Sequence, residues 1–495
     1  MKQFISEVKD KSGQEVFVAG WVHTRRDHGK LIFIDLRDRT GILQVVFSPS
    51  EKDAYEIAQK LRSEWVVGIK GILNQRPKGM ENKDLETGIV ELQAKELIVY
   101  SEAKTPPFAV ETDGKEIGEE LRLKYRYIDL RRQRLARNLE ARHKLILFVR
   151  NWLSKQGFLE VETPDLTKST PEGARDYVVP SRLQPGSFYA LPQSPQQFKQ
   201  LLMVSGIERY FQFARCFRDE DTRGDRQPEF TQMDLEMSFV EREDVMALNE
   251  KLMVELIQKE FPQKRIQQIP FPRISYQEAM GKYGTDRPDL RAGNSPVGGD
   301  HDLLAFCWVI DFPFFEPSVV ETKEDEASNA LHLKASDGGA MQPEALAKGW
   351  TFTHNPFSSP KPEHMEMLMK KEKIPEILTT QYDLVLNGSE VGGGSIRNHR
   401  SEALEKVFEI MGYEKERIQN NFGHMLEAFD SGAPPHGGIA WGLDRLVTIL
   451  QNEPNIREVI AFPKTGDGRD LMMSAPSTID EKQLKELKLE IKKDK

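Results

Sequence analysis

The fold of this chain is decided by residues 217–236, FRDEDTRGDRQPEFTQMDLE. The apolar run before this stretch and the alternation of apolar and polar residues in its second half predict two strands joined by a charged turn. Arg218 and Glu220 then lie at alternate positions of the first strand and share one face. An arginine beside a glutamate suits a site that binds a phosphate group and also recognises a neutral hydrogen-bond donor. The alternative interpretation of this stretch alone is a surface hairpin held by salt bridges.

The composition is typical of a globular protein. The chain has 495 residues, of which 38% are hydrophobic and 30% charged, and this length predicts two or three domains. Because no apolar stretch approaches the length of a membrane span and the N-terminus lacks an apolar signal segment, we expect a cytoplasmic location and no membrane partner. The two cysteines, Cys216 and Cys307, cannot form a disulfide framework. The net charge of -9 argues against indiscriminate nucleic-acid binding, so any contact with RNA must come from local basic patches.

The first hundred residues predict a small β-barrel. We expect strands at residues 14–21, 31–36, 43–47, 65–73 and 90–99, with a helix over residues 53–62. Five strands with a helix after the third are the plan of an OB-fold, a common reader of single-stranded nucleic acid. Phe33 lies among the basic residues of the first hairpin, Arg25, Arg26, Lys30, Arg37 and Arg39. An aromatic ring flanked by cations suits an unpaired RNA base, whereas the alternative places Phe33 in the core and the arginines on a solvated face.

Two carboxylates lie in the glycine-rich segment QYDLVLNGSEVGGGSIR, residues 381–397. Asp383 and Glu390 are predicted on two strands joined by an Asn-Gly turn. Two carboxylates that face one pocket are suitable ligands for Mg²⁺ bound to phosphates. The adjacent glycines let a ligand approach the backbone closely.

Two further segments supply polar and cationic side chains to a candidate site. Residues 193–200, QSPQQFKQ, present Gln196 and Lys199 one helical turn apart. Residues 436–445, HGGIAWGLDR, run into an apolar helix, and Arg445 can present its guanidinium to a triphosphate.

These segments, with a long helix, a strand and Pro164 before them, resemble motifs 1, 2 and 3 of class II aminoacyl-tRNA synthetases in their usual order. FRDE with its loop and strand resembles motif 2, and GLDR at residues 442–445 resembles the end of motif 3. QSPQQFKQ, RQPEF and NGSEVGGGSIR make the chain similar to the bacterial form of the aspartyl-tRNA synthetases. The resemblance implies an α+β fold: an N-terminal OB-fold β-barrel plus a class II synthetase antiparallel-sheet catalytic domain flanked by helices.

The resemblance also implies a reaction, which is the ATP-dependent ligation of L-aspartate to tRNA-Asp through an aspartyl-adenylate, with ATP and Mg²⁺ as cofactors and a homodimer built on motif 1. It assigns catalytic roles to Arg218 and Arg445. It assigns ATP binding to Arg218, Glu220, Gln227, Phe230, Glu390 and Arg445. It assigns aspartate binding to Glu172, Gln196, Lys199, Arg218, His354 and Arg397, and metal binding to Asp383 and Glu390. Lys199 and Arg397 fit a dicarboxylic substrate, since a neutral amide analogue would leave two cations unpaired in a dry pocket.

The resemblance covers almost the whole chain, but the sequence departs from the bacterial form. We expect an anticodon-binding domain at 1–104, a hinge at 105–135, a catalytic domain at 136–478 and a charged, helical C-terminal tail at 479–495. The bacterial insertion domain is nearly absent, and residues 285–306 are its remnant. A different extra segment, residues 319–347, is expected to be a surface loop. Asn355 replaces the second of two adjacent histidines, so a pH-dependent role of this position is in doubt because an amide does not titrate.

Two positions of the barrel bear on the choice of tRNA. His28 and Gly79 match the pattern of non-discriminating enzymes of the family, where discriminating ones tend to carry leucine and lysine. The chain would then also aspartylate tRNA-Asn, with a functional link to an Asp-tRNA(Asn) amidotransferase. The residues that fall where the family reads the anticodon are Arg26, His28, Phe33, Gln44, Gly79 and Asn82. The alternative is that His28 is a solvent-facing hairpin residue without a role in specificity.

Four competing functions remain at this point. A strictly discriminating tRNA-Asp ligase would lack the relaxed tRNA choice. An asparaginyl-type ligase is disfavoured by Lys199, and a tRNA-independent ligase that makes asparagine is disfavoured by the intact barrel with Arg26 and Phe33. An inactive RNA-binding paralogue is disfavoured because the predicted ATP-binding and metal-binding residues are retained.

Overall fold

The structure, a computed structural model, describes residues 1–169, 173–222, 224–291, 299–318 and 349–492. The chain folds as two compact units, Met1–Arg137 and Asn138–Lys495. Within the described ranges, no helix combines the length and the apolar character that a membrane crossing requires.

The first unit contains a closed five-stranded barrel. Its strands are β1 Glu15–His28, β2 Leu31–Asp38, β3 Gly41–Phe47, β4 Val66–Gln75 and β5 Val90–Ser101. Its helices are α1 Ile5–Val8, α2 Lys52–Ala58, α3 Glu119–Lys124 and α4 Arg126–Asp129. The strand order is β1-β2-β3-β5-β4, and all neighbours are antiparallel except the parallel pair β3 and β5. The predicted OB-fold order, with a helix after the third strand, is confirmed.

The pleat of the barrel separates its core from its outer face. Alternate residues of β2 from Ile32 to Leu36 are buried, while the intervening Phe33 lies on the outer face and is half-buried. The alternative that Phe33 belongs to the core is therefore wrong. Arg37 is not on a solvated face either, because it is 4% exposed and pairs with Glu64 at 2.8 Å.

A buried carboxylate organises the basic stretch that follows the barrel. Asp129 is fully buried and accepts hydrogen bonds from Arg122 Nε at 3.1 Å, Arg126 Nη1 at 2.8 Å and Arg132 Nε at 2.7 Å. Arg132 also donates to the Ala109 carbonyl at 2.7 Å. These arginines are therefore interior groups of the fold and do not form a basic surface.

The second unit is built on one large sheet. Its helices are α5 Gln133–Lys155, α6 Gln196–Val204, α7 Arg242–Glu260, α8 Tyr276–Tyr283, α9 Met365–Lys370, α10 Ser401–Ile410, α11 Lys415–Asp430, α12 Leu443–Leu450 and α13 Glu481–Leu487, the first of which begins at the end of the first unit. Its strands are β6 Leu159–Glu160, β7 Val178–Pro180, β8 Phe188–Ala190, β9 Arg209–Phe217, β10 Glu229–Ser238, β11 Arg265–Ile266, β12 Arg273–Ser275, β13 Leu303–Leu304, β14 Phe306–Ile310, β15 Phe315–Ser318, β16 Gly349–Phe352, β17 Tyr382–Leu386, β18 Ser389–Ile396 and β19 His436–Gly442.

The large sheet has eight strands in the order β12-β14-β17-β18-β19-β10-β9-β6. Its six central strands are antiparallel, and the two edge strands pair in parallel with their neighbours. One face packs on helices α5, α7 and α12 through a core that includes Leu235, Trp441, Leu252 and Leu446. The predicted antiparallel sheet flanked by helices is confirmed.

The hairpin that opened the sequence analysis is the pair β9 and β10. Its first strand ends at Phe217, so the expectation that Arg218 and Glu220 lie on that strand is wrong. Arg218 keeps one ladder hydrogen bond, from its N–H to the Pro228 carbonyl at 2.9 Å. Asp219 instead pairs with Arg175, which turns the chain away from the ladder. Glu220 therefore lies in the connecting loop.

A two-stranded ribbon flanks the predicted extra segment. β15 and β16 pair antiparallel, with Ser318 opposite Gly349. The segment 319–347 and the part of 285–306 that spans 292–298 lie outside the described residues. In the part of the predicted helical tail that the structure describes, a helix covers Glu481–Leu487.

Replacing Asp129 with alanine should destabilise the protein by roughly 3–5 kcal/mol, because buried guanidinium groups would lose their shared carboxylate. Urea-induced unfolding followed by fluorescence measures this loss. Asp10→Ala is the matched control, since Asp10 is an exposed residue of the same unit and its loss should change stability by less than about 0.5 kcal/mol. Equal midpoints for both variants would contradict the interior role of Asp129.

Candidate active site

The face of the sheet opposite the core carries the candidate site in cross-strand rows. One row runs from Asp383 through Gly393 and Ala440 to Asp234, on four neighbouring strands. Opposed residues of antiparallel strands point to the same face, so the two carboxylates lie on one side of the sheet, roughly 14 Å apart at about 4.8 Å per strand. The two small residues between them leave a flat floor that a ligand can approach.

Four buried charges meet at the Asp234 end of this floor. Lys199 Nζ lies 2.6 Å from Asp234 Oδ1 and 3.3 Å from Glu236 Oε2. Arg397 donates from Nε and Nη2 to the two oxygens of Glu236 at 2.8 and 3.1 Å. Each of the four residues is at most 2% exposed. Oδ2 of Asp234 accepts no hydrogen bond from the other three. The structure thus brings together the predicted Lys199 and Arg397, and adds two carboxylates that sequence reasoning missed.

Glycine is required beneath this network. A Cβ atom on Gly438 would lie 2.2 Å from Glu236 Oε2 and 2.0 Å from the Leu235 carbonyl oxygen. Gly438 is directly opposite Glu236 on the neighbouring strand. The glycines of HGGIAWGLDR therefore make room for a buried carboxylate, as well as for close packing.

The carboxylates of Asp234 and Glu236 differ in their electrostatic surroundings. Burial alone would raise the pKa of Glu236, but the positive charges of Arg397 and Lys199 hold it below its ordinary value. Burial raises the pKa of Asp234, and the attraction of Lys199 offsets this only in part. The difference follows from the contacts, because Arg397 donates to both oxygens of Glu236 while Lys199 contacts one oxygen of Asp234.

Among the residues that the structure describes, two buried polar atoms next to this network have no partner at hydrogen-bond geometry. They are Asp234 Oδ2 and the Tyr210 hydroxyl. Tyr210 is opposite Glu236 on the neighbouring strand, and burial raises the pKa of its hydroxyl. The carboxylate of Asp234 also raises the pKa of the Tyr210 hydroxyl, so the two groups are close to each other, and a polar ligand between the strands could complete the hydrogen bonding of both. Asp234 Oδ2 is an acceptor and suits a cationic donor such as an ammonium group.

A chain of side-chain amides borders the same network. Gln196 Nε2 donates to Gln200 Oε1 at 3.0 Å, and Gln200 Nε2 lies 3.1 Å from His436 Nε2. His436 Nδ1 lies 2.8 Å from the Pro434 carbonyl oxygen. Burial lowers the pKa of His436 to about 4, so the imidazole is neutral near pH 7.

A cationic group and an aromatic ring lie where the β9–β10 hairpin turns. The guanidinium of Arg218 lies over the ring of Phe230, 5.2 Å from its centroid. Phe230 lies on the same face of β10 as Asp234, four residues away. Glu220 pairs with Arg226 at 3.4 Å on the loop. Two of the predicted ATP-binding residues, Arg218 and Phe230, are therefore brought together, while Glu220 lies on the connecting loop.

Gln227 has a structural role that the sequence did not reveal. Its amide nitrogen donates to the Lys464 carbonyl at 3.2 Å, and its oxygen accepts from the Lys464 N–H at 2.7 Å. Both ends of this amide are thereby used to hold the backbone at Lys464, called the 464 segment below, against the hairpin. Lys464 in turn pairs with Glu229 at 3.1 Å.

The predicted metal ligands meet on the floor of the site. A Cβ atom on Gly393 would lie 3.0 Å from Asp383 Oδ1 and 3.2 Å from Glu390 Oε1, so the two carboxylates flank this glycine. Glu390 reaches this face because Val391 is an extra residue in the β18 register, which shifts the alternation by one. Burial and the charge of Glu390 raise the pKa of Asp383 well above its ordinary value.

The surroundings of this pair fit a divalent cation bound to phosphates. An oxygen-only donor pair with uncompensated negative charge is what Mg²⁺ prefers, and the remaining ligands of such an ion are water and phosphate oxygens. Among the described residues there is no cluster of three or more side chains able to hold a metal by themselves. Arg445 donates to the Glu390 carbonyl and lies 3.6 Å from Asp225. The guanidinium of Arg445 thus contacts the backbone of Glu390, one of the two carboxylate residues.

The predicted histidine and its asparagine neighbour have different surroundings. The ring of His354 packs edge-on against Phe312 at 4.6 Å, and burial lowers its pKa, which Glu390 and Asp286 counteract. His354 is therefore closer in environment to the metal pair than to Lys199. Asn355 Oδ1 accepts from the Phe357 N–H at 3.0 Å and lies 3.3 Å from Ser358 Oγ.

Asn355 is connected to the buried charges through two hydroxyl groups. Ser358 Oγ lies 2.9 Å from Ser395 Oγ, which accepts from Arg397 Nη1 at 2.8 Å. Since none of these three neutral groups titrates in the ordinary pH range, this arm of the network is insensitive to pH.

The barrel has its own candidate site on its outer face. Arg26 is opposite Phe33 in the β1–β2 register and pairs with Asp35 at 2.9 Å, and its Nη2 lies 3.5 Å from Gln44 Oε1. The predicted Arg26, Phe33 and Gln44 thus share one surface, on which an aromatic ring lies beside a guanidinium.

The remaining predicted barrel residues lie at its turns. His28 is exposed at the end of β1, and Gly79 and Asn82 lie between β4 and β5. Gly79 has a φ of 88°, which an L-amino acid with a side chain rarely adopts. A lysine at this position would therefore need a different turn. The predicted Glu172 lies outside the described residues.

The sequence contained a signal for the carboxylates that were missed. Asp234 and Glu236 alternate with apolar residues on a strand in the middle of the sheet, where charged side chains on one face need buried partners. Gln200 and His436 carried no such signal, because each is a common surface residue type next to a recognised motif.

Models of two protein families match the chain. The model described as tRNA synthetases class II (D, K and N) matches residues 118–466. The model described as OB-fold nucleic acid binding domain matches residues 16–100.

Curated proteins match the chain over nearly its full length. An aspartate–tRNA(Asp/Asn) ligase of Syntrophomonas wolfei is 42% identical, with 97% of each chain covered. An aspartate–tRNA ligase of Bacillus licheniformis is also 42% identical, with 99% of this chain and 98% of the relative covered. The alignment with the first relative is 574 positions long, whereas the chain has 495 residues, so that relative contains segments that this chain lacks.

Solved structures share the fold. The asparaginyl-tRNA synthetase of Pyrococcus horikoshii in complex with asparaginyl-adenylate superposes with a TM-score of 0.70 at 23% identity, covering 94% of this chain and 98% of that one. The aspartyl-tRNA synthetase of Entamoeba histolytica gives a TM-score of 0.67 at 20% identity, covering 94% and 91%. At these identities the likeness concerns the fold alone.

Replacing His436 with glutamine should reduce the loss of stability on acidification. The folded pKa of His436 is lowered from 6.5 to about 4, so between these values the unfolded chain binds a proton that the folded chain does not, and stability falls as the pH falls. The contribution is roughly 3 kcal/mol over this window, and it is absent in the variant. Urea midpoints of the wild type and the variant at pH 4.5 and 7 measure how much stability each loses on acidification. An equal loss in both proteins would refute the role of His436.

Proposed function

Because the chain belongs to the class II tRNA synthetases of the aspartate, lysine and asparagine group, we propose that it ligates L-aspartate to tRNA-Asp with ATP, through an aspartyl-adenylate. The observation that carries this proposal is the buried network of Lys199, Arg397, Asp234 and Glu236 on a sheet of this family. It offers complementary groups for both charged ends of an amino acid with an acidic side chain.

The side-chain carboxylate of aspartate binds the two donors that the network leaves unused. Lys199 has three N–H groups: one is donated to Asp234, and the ion pair of Nζ with Glu236, at 3.3 Å, takes up a second. Arg397 has five, and Glu236, Ser395 and the Gly438 carbonyl accept four. One N–H of each cation remains, which matches the two oxygens of one carboxylate.

This arrangement changes the argument for selectivity. The expectation that an amide analogue would leave two cations unpaired does not hold, because Asp234 and Glu236 neutralise them. An asparagine side chain has one acceptor oxygen and an NH₂ group, so it would set a donor against one of the two remaining N–H groups. The mismatch of donors, in a site that excludes water, disfavours the amide. This disfavours the asparaginyl-type alternative.

The other groups of the substrates fall along the floor of the sheet. Asp234 Oδ2 and Gln196 receive the α-ammonium of aspartate. Phe230 stacks on the adenine ring, Glu220 accepts from its amino group, and Arg218 binds the α-phosphate. Arg445 binds the γ-phosphate, and His354 supports the region next to Glu390. Gln227 acts through the 464 segment, which it holds in place.

Asp383 and Glu390 are the residues that would hold Mg²⁺. When bound, the ion neutralises charge on the phosphates of ATP. The pair is suited to this because the two carboxylates flank Gly393 and the charge of Glu390 raises the pKa of Asp383. Arg445, beside Glu390, adds a fixed positive charge on the same side.

Catalysis by this chain is positioning together with charge stabilisation. The α-carboxylate of aspartate attacks the α-phosphorus of ATP, the bond to the bridging oxygen breaks, and pyrophosphate leaves. Arg218 stabilises the charge that develops on the α-phosphate. The terminal hydroxyl of the tRNA then attacks the carbonyl of the adenylate, and AMP leaves with the electron pair. Holding both reactants on one rigid sheet supplies most of the rate increase.

The barrel reads the anticodon through the surface that carries Arg26, Phe33 and Gln44, with His28, Gly79 and Asn82 at its turns. We assign residues 1–104 to this domain, 105–135 to the hinge, and 136–478 to catalysis. The exposed turn at His28 and the side-chain-free turn at Gly79 favour tolerance at the third anticodon base, and hence charging of tRNA-Asn as well. Correction of that product would need an Asp-tRNA(Asn) amidotransferase. The strictly discriminating ligase is the alternative.

A homodimer through the motif 1 region is supported by exposed apolar side chains. Leu147 on α5, Leu159 on β6 and Leu166 are 49%, 55% and 53% exposed. Scattered exposed leucines are ordinary, but three in one segment fit an interface.

The protein should charge both transcripts when tRNA-Asp and tRNA-Asn are assayed separately with aspartate and ATP. The variant His28→Leu should lower charging of tRNA-Asn by about tenfold or more relative to tRNA-Asp, since it restores the residue of discriminating enzymes. Arg218→Ala, which should abolish both activities, shows that charging depends on this site. Charging of tRNA-Asp alone by the wild type would leave the ligase assignment intact and refute the relaxed tRNA choice; charging of neither would refute the proposed function.

Gly393→Ala should lower aspartate-dependent exchange of pyrophosphate into ATP by about a hundredfold, because its methyl group would displace the carboxylates that hold Mg²⁺. Part of the loss should be recovered at raised Mg²⁺ concentration. Gly281→Ala is the matched control: it lies on helix α8 with open space around its Cβ position, and alanine there should preserve activity. Equal activities of the two variants would contradict the metal-binding role of the pair.

A further inference from the structure

A hydrogen-bond chain of fixed direction leads from the backbone into the amino-acid site. It starts at the Pro434 carbonyl, which can only accept, so the proton of His436 must be on Nδ1. The imidazole is neutral, and its Nε2 is therefore an acceptor. Gln200, 3.1 Å away, must turn its NH₂ group toward that nitrogen.

The same logic continues to Gln196. With its NH₂ toward His436, Gln200 presents its oxygen in the other direction, where it accepts from Gln196 Nε2 at 3.0 Å. Reversing any amide of this chain would set two donors or two acceptors against each other in a buried place. Gln200 and His436 are fully buried and Gln196 is 9% exposed, so water cannot easily repair such a mismatch.

We propose that Gln200 and His436 are positioning residues that orient the amide of Gln196, so that its oxygen is free to accept from the α-ammonium of the bound amino acid. This inference rests on the proposed function. An ammonium group needs acceptors, and the reversed amide would present N–H groups to it. Gln200 acts on aspartate binding through Gln196, whereas His436 acts through Gln200 and also lies close enough to Glu236 and Arg397 to interact with their charges.

The test is a double-mutant cycle on the full-length protein, read by aspartate-dependent pyrophosphate exchange. Gln200→Met keeps the length of the side chain and removes both ends of the amide. It should raise the KM for aspartate by about tenfold while kcat and the KM for ATP change by less than twofold. In the Gln196→Ala background the same substitution should raise the KM for aspartate by less than twofold, because the group it orients is gone.

Two further variants separate positioning from a general loss of structure. His436→Gln retains an acceptor oxygen for Gln200 and should stay within threefold of the wild-type KM for aspartate, whereas His436→Leu should match Gln200→Met. Gln197 follows Gln196 on helix α6 but is not part of the hydrogen-bond chain. Gln197→Met should therefore leave kcat and the KM values for aspartate and ATP unchanged. Thermal unfolding of each variant identifies any that fail to fold.

The outcomes distinguish the proposals. A wild-type protein without aspartate-dependent exchange would overturn the proposed function itself. With wild-type activity established, an undiminished effect of Gln200→Met in the Gln196→Ala background, or equal changes in the KM values for aspartate and ATP, would overturn the positioning role.

Discussion

Neutralisation of buried charge is the constraint on which the second unit depends. Two cations and two carboxylates are buried on the polar face of the large sheet, whose opposite face packs on the core. None of the four could be buried alone without a large loss of solvation energy. Lys199 comes from α6, Arg397 from the residue after β18, and the two carboxylates from β10, so these elements must meet at one place. The absence of a side chain at Gly438 is the local condition for that meeting.

The two faces of the sheet divide the work between stability and chemistry. Odd-numbered residues of β10 and β19, such as Leu235 and Trp441, hold the core, while their even-numbered neighbours carry the polar site. Each strand is therefore fixed in register by its apolar half, and a slip of one residue would move every charged group into the core. The extra residue Val391 is the exception that brings Glu390 to the polar face.

Much of this organisation could be predicted from the sequence, and the limits have physical causes. Alternation of apolar residues located the strands of the barrel and the β9–β10 hairpin, because pleat and burial act within a few residues of each other. The strand end at Phe217 could not be predicted, since it depends on Asp219 pairing with a residue more than forty positions away. For the same reason the alternation on β10 showed that Asp234 and Glu236 need buried partners, but not that these partners are Lys199 and Arg397. The contact of Gln227 with the backbone of Lys464 could not be predicted either.

The paired ends of the ribbon around residues 319–348 have a consequence for the evolution and engineering of this protein. Ser318 and Gly349 are opposite each other in the β15–β16 ladder, so the two ends of the connection between these strands are held side by side. Because the entropy of closing a loop grows only slowly with its length, the entropic cost of a longer connection between these two residues is small. The connection between β15 and β16 is thus a suitable insertion site for a reporter domain or an affinity tag within the chain, away from both termini.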